Sequence, residues 1–198
     1  MSYELVAALV AFAFVTSITP GPNNLMLMAS GANFGFWPTL PHMLGIALGH
    51  LFMVVLLGVG LIGLFETFPT SYLVLKMVSV AYLTWLAWKI ATAAPPKEGG
   101  TKGTPMTFLQ AAAFQWVNPK AWAMALGAIA AYAPSRELWA VLLVGVVFTV
   151  TNLPSISVWT LMGQGLARVL TNPSRLRAFN FFMAALLMLS LWPVVHPV

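Results

Sequence analysis

Two stretches of the sequence place polar side chains beside helix-breaking prolines within otherwise apolar segments. The first reads Thr16-Ser17-Ile18-Thr19-Pro20-Gly21-Pro22-Asn23-Asn24, and the second reads Gln115-Trp116-Val117-Asn118-Pro119-Lys120-Ala121-Trp122. Proline lacks a backbone donor and clashes with the preceding turn, so each stretch predicts a helix that unwinds partway along its length. Unwound backbone at membrane depth persists only where it lines a cavity or is buried in protein. Both stretches are therefore candidate ligand sites.

The first break offers groups for both charges of a zwitterion. The carbonyls from Thr16 to Thr19 can accept hydrogen bonds from an ammonium group. A second half-helix starting near Asn23 would direct N–H groups and a partial positive charge at a carboxylate. A proline kink satisfied by neighbouring Ser and Thr side chains is the alternative. The candidate substrate-binding residues here are Thr19, Pro20, Gly21, Pro22, Asn23 and Asn24.

The second break carries a charge. Lys120 follows Pro119 about a dozen residues into an apolar segment. A charged group at the centre of a membrane helix costs about 3 kcal/mol on insertion scales, which makes it a functional candidate. We expect Lys120 to bind a carboxylate, with Asn118 and Pro119 beside it. The alternative is that the helix begins later and Lys120 extends to the membrane surface.

Three further polar residues lie in apolar segments. Asn152, close to Pro154, can add an amide to the cavity, although a packing role is equally compatible. His42 and His50 can titrate near neutral pH and are candidates for proton coupling, although capped or interfacial histidines are more common. Gly45 and Gly49 are spaced for close helix packing, which also permits a homodimer.

Several kinds of chemistry lack the residues they need. The sequence has no cysteine and no aspartate, and its four glutamates lie at predicted helix ends or in loops. Metal sites use thiolates, carboxylates or histidine clusters, so we predict no metal. No phosphate-binding loop of the Walker type occurs, so ATP hydrolysis is not expected. Without a buried carboxylate, a zwitterionic ligand fits better than a fully cationic one.

The composition indicates a membrane protein. Hydrophobic residues make up 60% of the 198 residues and charged residues only 7%, whereas about a quarter of a soluble domain is charged. Stretches such as 51–64 are apolar on every face, which favours helices over a barrel. The basic residues behind the net charge of +5 form no dense patch, so nucleic acid is not an expected partner. The expected partner is the lipid bilayer.

The hydrophobic pattern predicts an all-α, polytopic membrane domain spanning residues 1–198. Each crossing needs roughly 20 residues. Two three-helix halves, 1–93 and 107–198, would flank a polar cytoplasmic linker at 94–106. A half with an odd number of spans ends on the side of the membrane opposite to the one where it began, so the two halves would be inverted relative to one another. The first span of each half is the broken one. The predicted spans are 5–28, 42–64, 71–91, 107–131, 138–163 and 177–195.

The basic residues predict the orientation. Lys89, Lys97, Lys102, Arg168, Arg175 and Arg177 fall on the face that holds the linker, while Glu4, Glu66, Arg136 and Glu137 fall on the other. Cytoplasmic loops are enriched in Lys and Arg. Both termini are therefore expected outside the cytoplasm.

The two breaks resemble the signatures of a known family. Thr19-Pro20-Gly21-Pro22-Asn23 and Asn118-Pro119-Lys120-Ala121 look like the two motifs of the LysE/RhtB amino-acid exporters, and the resemblance covers essentially the whole chain. The run 115–122 is similar to the branch that exports cysteine and its derivatives. Many relatives have an acidic residue where this chain has His50.

That resemblance implies a secondary carrier of the bacterial inner membrane with no bound cofactor. It would export neutral amino acids or derivatives, such as cysteine, O-acetylserine or homoserine- and threonine-like compounds, driven by the proton gradient or membrane potential. The alternatives are a channel or structural membrane subunit and, less favoured, a membrane-embedded enzyme. The enzyme reading is weak because neither His42 nor His50 has an acidic neighbour in the sequence.

Overall fold

The chain folds into helices throughout the part that can be described. The computed structural model describes residues 2–61, 63, 67–92, 103–135, 137–170 and 172–192, and these contain no β-strand. The α-helices are α1 (Tyr3–Ile18), α2 (Pro22–Phe34), α3 (Phe36–Leu56), α4 (Pro69–Ala91), α5 (Phe108–Phe114), α6 (Pro119–Tyr132), α7 (Leu138–Ala167) and α8 (Pro173–Leu189).

Three stretches are long and apolar enough to cross a membrane. They are Phe36–Leu61, Leu73–Ala91 and Leu138–Ala167, and α1 with α2 forms a fourth candidate if the bent pair counts as one span. The prediction of an all-helical membrane protein is confirmed. The six-span arrangement stays a prediction, because α5 and α6 are separated by a break and α8 has only 17 residues.

Both predicted helix breaks are present. The first separates α1 from α2, whose axes differ by 54°. Thr19 and Gly21 are extended there, and Pro22 opens α2. At the second break, a single 3-10 turn (Gln115–Val117) follows α5, and Asn118 is extended before Pro119 opens α6. Proline disfavours helical geometry in the residue before it and suits the first position of a helix, which explains both places.

Proline alone does not break a helix in this chain. Pro41 lies inside α3 and Pro154 lies inside α7, and both helices continue through them. Breaks occur where proline follows extended residues, as at Gly21 and Asn118.

The long helix α7 is the centre of the packing. It contacts α1, α2, α3 and α6, while α4 packs mainly against α8 and α3 packs against α5. The helix ends at the two breaks therefore lie among helices from both predicted halves. Residues 94–102 of the predicted linker lie outside the described residues, as do Glu66, Lys97, Lys102 and Arg136.

Glycines allow the closest helix contacts. A Cβ atom on Gly49 would lie 2.6 Å from the Cα of Ala112, and one on Gly45 would lie 2.7 Å from the Ala111 Cβ, so α3 and α5 touch through their backbones. The predicted close packing at these two glycines is confirmed. At the α2–α7 crossing, a Cβ on Gly163 would collide with the carbonyl group of Met28.

We predict that Gly163→Ala destabilises the protein because the added methyl group must push α2 away from α7. Overpacking of this kind costs about 1–3 kcal/mol. Gly165→Ala is the matched control, since nothing lies within 4 Å of a Cβ at that position. Thermal unfolding in detergent should show a lower midpoint for the first variant and an unchanged or higher one for the second. Equal midpoints would mean that the close crossing contributes nothing.

Candidate functional site

The two helix breaks converge on one cavity. The first contributes Thr16, Ser17, Gly21, Asn23 and Asn24, and the second contributes Gln115, Asn118, Lys120, Ala121 and Met124. His50 from α3 and Asn152 from α7 complete the lining. The volume open to the centre of a water molecule is about 20 Å³. Roughly 10–15 Å³ suffices for one water, so the cavity is too small for an amino acid in this conformation.

The ammonium group of Lys120 joins the second break to the first. Its Nζ donates to the carbonyl oxygen of Thr19 at 2.7 Å, to the hydroxyl of Thr19 at 2.9 Å and to the carbonyl oxygen of Pro20 at 3.2 Å. Three acceptors satisfy all three donors of an ammonium group. Gly21 makes room for this side chain, because a Cβ there would lie 2.5 Å from the Lys120 Cδ.

The other carbonyls at the end of α1 also have donors within the protein. The Thr19 hydroxyl donates to the Thr16 carbonyl at 3.0 Å. The Asn24 amide donates to the carbonyls of Ser17 and Thr19 at 2.7 and 2.8 Å. The indole of Trp159 donates to the Ile18 carbonyl at 3.0 Å. The carbonyls expected to await a ligand ammonium are therefore occupied in this conformation, and Lys120 itself provides an ammonium.

A pair of side-chain amides forms the second link between the breaks. Asn23 donates to the Gln115 Oε1 at 2.9 Å, and Gln115 donates back to the Asn23 Oδ1 at 3.3 Å. Gln115 is fully buried and also donates to the Ala111 carbonyl at 2.9 Å. Gln115 belongs to the second break as read from the sequence, but it was not among the candidate binding residues. Its place immediately after α5, next to the break, was the feature that could have indicated a role in the site.

The two half-helices that start at the breaks differ in their free donors. Asn118 caps α6, since its side chain accepts a hydrogen bond from the Lys120 backbone N–H at 3.1 Å. No side chain caps α2, which begins at Pro22 after Gly21. The start of α2 is therefore the better match to the expected carboxylate-binding helix end.

The remaining predicted residues differ in their distance from the cavity. His50 and Asn152 line it, whereas His42 is buried elsewhere on α3 and both its ring nitrogens lack a partner among the described residues. Thr19 and Pro20 are exposed, and they are linked to the cavity by the hydrogen bonds that they accept from Lys120. Pro22 and Pro119 shape the backbone without lining the cavity. The described residues contain no cluster of His, Cys, Asp or Glu able to hold a metal.

Comparison with known proteins identifies the family. The sequence model of the LysE type translocator matches residues 14–190. The chain belongs to the LysE-type translocator family. The motif-based resemblance to this family is thus confirmed.

Curated relatives with similar sequences come from enteric bacteria. The chain is 35% identical over 120 residues to proteins named "Cysteine/O-acetylserine efflux protein" from Escherichia coli (strain K12) and Shigella sonnei (strain Ss046). The match covers 61% of this chain and 61% of each relative. No solved structure gives a significant match.

We predict that the amides of Asn23 and Gln115 are energetically coupled. Either single change, Asn23→Ala or Gln115→Ala, leaves the other amide buried without its partner and should cost about 1–3 kcal/mol. The double variant should cost clearly less than the sum of the two. The double-mutant cycle is measured from the free energies of unfolding, in detergent, of the parent protein, the two single variants and the double variant. Strict additivity would show that this link between the breaks does not stabilise the fold.

Proposed function

We infer that this protein is a secondary carrier that exports neutral amino acids or their derivatives across the bacterial inner membrane. Membership in a translocator family and similarity to proteins named for cysteine and O-acetylserine efflux support this proposal. The observation that carries it is the meeting of the Lys120 ammonium with the carbonyls of Thr19 and Pro20. A cation and a set of carbonyl acceptors in one place match the two charged groups of a zwitterion.

The proposed binding step is an exchange of partners. The ammonium of the amino acid takes the place of Lys120 on the carbonyls of Thr19 and Pro20. Lys120 then pairs with the carboxylate of the same ligand, assisted by the uncapped start of α2. Each hydrogen bond lost by the protein is replaced by one to the ligand, so the exchange avoids leaving a buried charge unpaired.

The small size of the cavity supports alternating access. An amino acid has at least five heavy atoms and cannot enter a space that holds about one water molecule. The bonds of Lys120 and the Asn23–Gln115 pair both cross from one break to the other, so they must separate when the cavity opens. We propose that these bonds close the empty carrier and that ligand binding replaces them.

The packing supports six spans arranged as two inverted halves. If α1, α2, α3 and α4 correspond to α5, α6, α7 and α8, the contacts α3–α7 and α4–α8 join equivalent helices. The contact of α1 with α7 then has its counterpart in the contact of α5 with α3. Discontinuous helices in equivalent places of inverted repeats are typical of transporter sites. We propose that both termini lie in the periplasm, as the basic residues predict.

Export in this scheme is coupled to protons through His50. Of the two candidate histidines, His50 lines the cavity and His42 does not. Lys120 is the other titratable side chain on the lining, and no aspartate or glutamate is among the lining residues. Protonation of His50 can therefore respond directly to the entry of a ligand or to the departure of Lys120.

We predict that Lys120→Met abolishes export. The variant keeps a long side chain but removes the charge that the carboxylate needs, so uptake of cysteine or O-acetylserine into everted vesicles should fall at least 10-fold. Lys76→Met is the matched control, because Lys76 lies on α4 away from the cavity. Undiminished transport by Lys120→Met would refute the proposed site.

We predict that His50→Gln uncouples export from the proton gradient. The amide preserves hydrogen bonding but cannot carry a proton, so gradient-driven accumulation should fall about 10-fold or more while downhill exchange continues. His42→Gln should retain the response to the gradient. Proteoliposomes with an imposed pH gradient distinguish the two. If only His42→Gln loses the gradient response, the coupling residue is wrongly assigned.

A further inference from the structure

Two buried polar atoms on the cavity lining lack hydrogen-bond partners. They are the Oγ of Ser17, on α1, and the Nε2 of His50, on α3. The two residues are only 3% and 4% exposed. Neither atom finds a partner among the described residues, although most buried polar atoms in proteins do. Both residues line the same small cavity, and both atoms are closed off from water in this conformation, so a ligand can bond to them when the cavity opens.

The hydrogen-bonding character of the pair can be worked out. Nδ1 of His50 is not among the unpartnered buried atoms, and the backbone of Ala121 is next to the ring, so we assign the ring proton to Nδ1. A neutral imidazole that donates through Nδ1 to a carbonyl presents Nε2 as an acceptor. The Ser17 hydroxyl can donate or accept. One acceptor and one adaptable hydroxyl are complementary to a group that itself both donates and accepts.

We propose that Ser17 and His50 form a subsite that recognises a hydroxyl or thiol on the side chain of the transported amino acid. This inference rests on the proposed function and extends it to substrate selection. The ligand's O–H or S–H donates to the His50 Nε2, and its oxygen or sulfur accepts from Ser17. The ammonium and carboxylate use Lys120, the carbonyls beside it and the start of α2. The subsite is therefore separate from the groups that bind the amino-acid backbone.

Of the two substrates named for the relatives, cysteine matches both atoms of this subsite, whereas O-acetylserine matches only Ser17. Cysteine and O-acetylserine both carry a sulfur or oxygen atom on the β-carbon. Cysteine offers a donor to His50, while the ester oxygens of O-acetylserine offer acceptors to Ser17. An apolar side chain of the same shape would leave both protein atoms buried and unpaired. A site built to bond a polar group rejects such an isostere more strongly than it distinguishes two apolar groups.

Isosteric amino acids test the proposal without any mutation. Threonine and valine differ by a hydroxyl in place of a methyl group, as do serine and 2-aminobutyrate. In competition with labelled cysteine in proteoliposomes, we expect each hydroxylated compound to compete at least 10-fold better than its partner, the equivalent of about one hydrogen bond. Equal competition within each pair would overturn the subsite.

A serine-to-alanine change tests the assignment to Ser17. Ser17→Ala should reduce the preference for threonine over valine to about 3-fold or less, chiefly through better binding of valine. Ser79→Ala is the matched control: Ser79 is also 3% exposed, but its hydroxyl donates to the Leu75 carbonyl at 2.7 Å and does not line the cavity. The control should keep the full preference.

The outcomes separate the subsite from the transport function. If no amino acid competes with cysteine or is itself transported, the proposed function fails and the subsite fails with it. If amino acids compete but the isosteric pairs do not differ, or Ser17→Ala keeps the full preference, only the subsite fails.

Discussion

Backbone carbonyls released by a broken helix must find donors, and the site is organised around that requirement. In a membrane interior no bulk water is available to satisfy them. At the end of α1, every carbonyl from Thr16 to Pro20 accepts a hydrogen bond from a side chain. The donors come from α2, α6 and α7 as well as from the break itself. Satisfying one break therefore brings four helices together.

The same requirement accounts for the arrangement of Lys120, whose ammonium meets three acceptors rather than lipid. Gly21 is part of this arrangement, since any larger residue there would displace the lysine side chain. In the proposed binding step, a ligand that carries its own ammonium replaces those bonds without a large net loss. Closed packing and ligand recognition use the same groups in that proposal.

The helix framework holds these groups at short range through direct backbone contacts. Gly163 lets α7 approach α2, and Gly45 and Gly49 let α3 approach α5. The first break precedes α2 and the second lies shortly after α5, so each close crossing holds a helix beside a break. Small residues have this role in membranes because apolar side chains gain little by leaving lipid for one another.

Local features of the sequence were enough to predict the membrane class, the helical architecture and the position of both breaks. Apolar composition selects lipid, and proline after Gly21 or Asn118 restricts the backbone beside it. Lys120 was also recognisable as a functional candidate, because a lysine in an apolar segment is costly. The family motifs lie at the same breaks.

The links between these residues depend on helix packing. Lys120 and Thr19 are 101 residues apart, and Asn23 and Gln115 are 92 apart. No local pattern specifies that a lysine will bond to carbonyls rather than await a carboxylate, or that Gln115 will complete the lining. His42 and His50 look alike in sequence, yet only His50 lines the cavity. The physical reason is that local sterics set where a helix breaks, whereas helix packing sets which donor reaches which acceptor.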